Sequence, residues 1–143
     1  APLDVPALGW MWQVGHKFLK LEVQPQGKVT NADSTTSDSW YVHLGGTDCK
    51  EAAAGDPAIY SCSNLNLGDV KLAAFNADSQ QVVFDVAALL ANADLSKNQN
   101  GMAGCMSDTS DKDCPAIFNA LRISMATGKP VAGAPVVFKA VSK

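Results

Sequence analysis

The sequence predicts a mainly β protein, an antiparallel β-sandwich with irregular loops, one short helix and two local disulfides. Two-residue alternation of apolar and polar side chains recurs along the chain, helical periodicity is scarce, and four cysteines bracket two turn-rich loops. In HKFLKLEV, Leu19, Leu21 and Val23 face one way and Phe18, Lys20 and Glu22 the other, as in a half-buried strand. SWYVHLG alternates likewise, with Trp40, Val42 and Leu44 on one face and Tyr41 and His43 opposite. DVKLAAF, QQVVFDV and APVVFKAV read as three further strands, separated by turn-rich QPQGK, NADSTTSDS and SKNQNGMAG. VAALLANAD has room for a turn or two of helix. CPAIFNALRI is the better candidate, with proline in its first turn and a stripe of Ile117, Phe118 and Leu121.

The cysteines stand at 49, 62, 105 and 114. Their spacings do not fit the short pairs of a zinc ribbon. Of three possible connectivities, Cys49–Cys62 with Cys105–Cys114 is the most economical, each bridge worth on the order of 3 kcal/mol by loop entropy. Disulfides imply an oxidising compartment, the periplasm or cell exterior. The alternative is four buried thiols in a reducing one.

At 143 residues the chain is expected to form one β-sandwich domain over 1–143, able to bury roughly two-thirds of its unfolded surface. With 47% hydrophobic and 17% charged residues it is too apolar for disorder. No apolar run approaches the ~20 residues of a membrane helix. A net charge of -3 and a single arginine, Arg122, argue against nucleic acid. The chain opens on Ala1-Pro2 without a signal peptide and reads as a trimmed product, the C-terminal part of a longer mature protein.

All three tryptophans and both histidines lie in two short runs, GWMWQVGH and WYVH. His43 is the leading candidate metal ligand, an imidazole carried by a rigid strand just before the cysteine-pinned GGTDC turn. The bland reading is a surface or hydrogen-bonded histidine, which spacing alone favours. His16, after Gly15, reads as a turn residue. Trp10 and Trp12 share a strand face, and core packing explains them on spacing alone. Asp108, Asp111 and Asp113 cluster between Cys105 and Cys114, where hard oxygens could hold calcium. EF-hand spacing is absent, and an acidic turn preceding the next helix is the simpler reading. No G-x-S-x-G elbow, phosphate loop or H-E-x-x-H occurs, so the chain is not expected to be an enzyme.

Four runs together, PALGWMWQVGHKFLKLEV, YVHLGGTDC, VFDVAALL and GCMSDTSDKDCPAIFNAL, resemble the MbnP-like family, the copper-binding member of the metallo-mystery pairs, which includes surface copper proteins of methane-oxidising bacteria. The resemblance implies a periplasmic or outer-surface β-rich protein that binds one copper ion through histidine imidazoles and a tryptophan oxidised to kynurenine. It also implies a partner, a di-haem protein of the cytochrome c peroxidase type, that performs the oxidation. His43 matches a ligand position of the family. The oxidised residue is then Trp12, Trp10 or a tryptophan in a preceding segment, where relatives also carry a further histidine. His16 falls where relatives often have another residue, and no ligand role is carried to it. Ring opening is chemically apt, because an indole N–H only donates whereas the aniline nitrogen of kynurenine has a free lone pair. Two imidazoles plus that weak donor give the low coordination that suits Cu(I).

The resemblance therefore leads to an extracytoplasmic protein of copper acquisition or handling. A structural or adhesion-type surface module anchored by calcium at residues 108–113 is the second expectation. A copper redox enzyme ranks last, since the visible ligands are too few for an oxygen-activating centre.

Overall fold

The computed structural model describes residues 17–51, 60–133 and 135–143. At its centre β1 (Lys17–Val23) runs antiparallel to β4 (Trp40–Gly45), which pairs on its other edge, in parallel, with the two-residue β8 (Gly104–Cys105). Burial along β1 follows the expected alternation: Phe18, Lys20 and Glu22 are exposed, while Leu19, Leu21 and Val23 pack on the core. A register shift between Lys17 and Leu19 marks a bulge. Trp40, Val42 and Leu44 are all buried, and the indole N–H of Trp40 donates to the Lys97 carbonyl at 3.3 Å. One large side chain thus closes the core and satisfies its polar handle.

Three two-stranded ribbons complete the described β structure: β2 (Val29–Thr30) with β3 (Thr36–Ser37), β5 (Thr47–Glu51) with β6 (Tyr60–Asn64), and β7 (Gln80–Phe84) with β9 (Phe138–Ser142). All three are antiparallel, so the fold is mainly β and antiparallel-rich, as expected. Cys49 and Cys62 face each other across β5 and β6 and are bridged. The second disulfide joins Cys105 of β8 to Cys114 at the start of a helix, and both residues are fully buried. This is the pairing that loop economy favours.

Two helices are present among the described residues, where one was expected. The additional one, α1 (Val86–Leu90), is a single capped turn: the Asp85 carboxylate accepts from the Ala88 N–H at 2.9 Å and also pairs with Lys139. The other, α2 (Cys114–Ala120), has Pro115 in its first turn and buries Ile117 and Phe118, with Leu121 at its end. Neither is long and apolar enough to cross a membrane. DVKLAAF, expected as a strand, is turn and irregular chain, with Val70 and Phe75 exposed. Ala74 adopts φ 56°, which interrupts any extended run there. In APVVFKAV the strand begins only at Phe138.

Candidate metal centre

His43 stands mid-β4, opposite Lys20 of β1, on the face away from Val42 and Leu44. The Tyr41 ring lies 5.4 Å from the imidazole, tilted by 51°. The polarity of β4 alternates but its burial does not: His43 is only 8% exposed and its Nε2 is fully shielded from solvent. Burial removes the surface half of the bland reading and leaves a hydrogen-bonded histidine open, because both faces of this strand are covered. Burial, then the positive charges of Lys17 and Lys20, push the imidazole pKa down to about 4, and Glu22 opposes them weakly. At neutral pH the ring is uncharged, the state in which an imidazole nitrogen can ligate a metal.

That shift has a measurable consequence for the metal-free protein. An unfolded histidine takes up its proton near pH 6.5, whereas His43 in the folded chain does so only near pH 4. Between these values the unfolded state binds more protons, so stability is lost as pH falls. The unfolding free energy is expected to drop by about 2.5 kcal/mol between pH 7 and pH 4.5. Urea midpoints at the two pH values read the loss, and His43→Gln should remove most of it. Asp111 opposes, since burial raises its carboxyl pKa. Asp33, Asp85, Asp94 and Asp108, held low mainly by side-chain hydrogen bonds, contribute only at more acid pH.

The described residues offer this one imidazole. All four cysteines are in disulfides and supply no thiolate. Among the described residues no group of three or more His, Cys, Asp or Glu side chains could hold a metal. His43 suits copper as a neutral donor, and the other donors of such a site are not found there. Trp10, Trp12 and His16 lie outside the described residues.

The acidic loop does not bring its carboxylates together as a cation site. Asp108 accepts from the Ser110 N–H and hydroxyl. Asp111, buried, accepts from the Met106 N–H at 2.7 Å and the Asp113 N–H at 2.9 Å. Asp113 takes the N-cap position of α2, yet its carboxylate turns to Gln99 rather than to the helix. Five of the six carboxylate oxygens accept from amides or a hydroxyl of the loop and from Gln99. Two residues to which the sequence reading gave no role, Ser107 and Asn66, are buried beside the end of β4 and hydrogen-bond its backbone. Nothing local in sequence announces a hydroxyl that reaches a strand more than sixty positions away.

The residues thus define a disulfide-braced, β-rich protein that presents a buried, uncharged imidazole from its central strand. The MbnP family profile matches residues 1–107. The solved structure of MbnP from Methylosinus trichosporium superposes with a TM-score of 0.86 at 35% identity, covering 99% of this chain and 52% of that one. The chain belongs to the MbnP family, and it spans about half the length of that solved relative. A comparison with curated proteins returns no match.

Proposed function

We propose that this chain binds copper outside the cytoplasm, with His43 as an imidazole ligand, and serves copper acquisition or handling without catalysis. The observation that carries the reading is a neutral imidazole buried on the central strand of an MbnP-family fold. Two disulfides support an oxidising compartment. In this reading one ion is bound as Cu(I), a second imidazole and a kynurenine come from beyond the described residues, and Trp12 and Trp10 are the candidates for oxidation within this sequence. A di-haem protein of the cytochrome c peroxidase type is the proposed oxidant. The acidic loop supplies no comparable support for a calcium-anchored module.

Cu(I) titration against a chromogenic chelator tests the assignment in the full-length protein. Wild type is expected to take up one equivalent, and His43→Ala to lose at least tenfold in affinity. An unaltered titration in His43→Ala would remove His43 from the site. Peptide masses of the same material should place any kynurenine at Trp10, Trp12 or a tryptophan of a preceding segment. They should find Trp40 unmodified, because its ring is 1% exposed within the core.

A further inference from the structure

β4 loses its β8 partner one residue before His43, while β1 continues along its other edge to Gly45. The parallel ladder with β8 ends at Val42 and Cys105, so the outer-edge carbonyl of His43 and N–H of Gly45 would have no ladder to join. A single buried side chain meets both. The Ser107 hydroxyl donates to the His43 carbonyl at 2.7 Å and accepts from the Gly45 N–H at 3.1 Å, continuing the ladder by one rung. A hydroxyl can do this because it carries a donor and two acceptor lone pairs.

The serine is itself held from three sides. Its backbone adopts φ 68°, a conformation that a residue with a side chain seldom takes, and Asn66, which binds it, does the same at φ 55°. The Asn66 amide donates to the Gly45 carbonyl at 2.9 Å, and at 3.4 Å to the Ser107 carbonyl and the Thr47 hydroxyl. Behind Ser107, the Cys105–Cys114 bridge and the Asp111 carboxylate on the Met106 N–H fix the loop that delivers it. Two strained residues placed together beside a candidate ligand are where backbone strain is expected to serve function.

We propose that Ser107 is a positioning residue for the metal site: its hydroxyl locks the β4 backbone at His43 and so aims the imidazole at the ion. The proposal rests on His43 being a copper ligand. It gives the GCMS segment a role, in which the disulfide and the buried aspartate shape a loop that sets one hydroxyl against the ligand's own peptide. Metal sites depend on such supporting groups, whose loss typically weakens binding by about 10–100-fold.

Two substitutions separate positioning from general support of the fold. Ser107→Gly removes the hydroxyl while relieving the left-handed backbone, and Ser107→Thr keeps the hydroxyl while straining that backbone further. In the full-length protein, Ser107→Gly is expected to lose tenfold or more in Cu(I) affinity. Ser107→Thr should bind Cu(I) as wild type does and yet melt at lower temperature. Affinity and melting temperature would then move independently, which a purely structural role does not allow. Should Ser107→Thr not fold, Ser107→Ala replaces it: it should match Ser107→Gly in affinity while melting below it. Wild-type Cu(I) affinity in Ser107→Gly, with affinity lost in His43→Ala, overturns the positioning role and leaves the copper reading intact. Wild-type affinity in both overturns the ligand assignment and this proposal with it.

Discussion

Gly104→Ala is expected to destabilise the protein by about 4 kcal/mol or more, through strain and overpacking acting on one residue. Gly104 sits at φ +102°, and a Cβ there would lie 2.0 Å from the Tyr41 carbonyl oxygen and 2.5 Å from its nitrogen. Both atoms are backbone of β4, so no rotamer change relieves the contact. Either β8 withdraws from Tyr41, breaking the parallel pair, or β4 is pushed toward β1. The Cys105–Cys114 bridge keeps β8 tethered to α2 in both cases. Gly101→Ala is the matched control, because Gly101 also has positive φ, at +69°, but a methyl group there would meet nothing within 4 Å. It should cost about 1 kcal/mol, the conformational part alone. Urea denaturation of the two variants separates clash from strain. Equal losses would mean that the close approach of β8 to β4 contributes nothing.

How much of this was readable in the sequence depends on the range of each interaction. The alternation of Leu19, Leu21 and Val23 is local and gave β1 its correct inward face. Cys49 with Cys62 and Cys105 with Cys114 are close in sequence, so loop economy found both bridges. His43 was picked out by residue type and by its neighbours, but its burial was not, because a two-residue pattern reports polarity and says nothing of what covers the second face. β8 is two residues long, too short for any periodicity, and its partner lies some sixty positions earlier. DVKLAAF shows the converse failure. Its apolar residues satisfy a strand template, yet it finds no partner edge, and a left-handed Ala74 turns the chain away. Ser107, Asn66 and Asp111 act through backbone groups of other segments, and their geometry appears only once the chain is folded.

Trp40→Ala is expected to cost about 3–5 kcal/mol, the range for deleting a large aromatic ring from a packed core. Trp40 is 1% exposed and shares its face of β4 with Val42 and Leu44. Its removal would leave a cavity and strip the Lys97 carbonyl of the indole N–H. Trp40→Phe weighs the two effects differently, since it loses the donor but keeps most of the apolar volume and leaves a much smaller cavity. That variant should fall well short of the alanine loss, because a single hydrogen bond contributes about 1 kcal/mol net. The two faces of β4 make a further contrast. Trp40 projects toward the core and His43 away from it, so a small change on the core side should leave the imidazole's surroundings in place. Trp40→Phe is therefore expected to keep wild-type Cu(I) affinity while unfolding at lower urea. Loss of affinity in Trp40→Phe comparable to that in His43→Ala would mean that the core face also sets the ligand's position, and that β4 does not separate packing from binding.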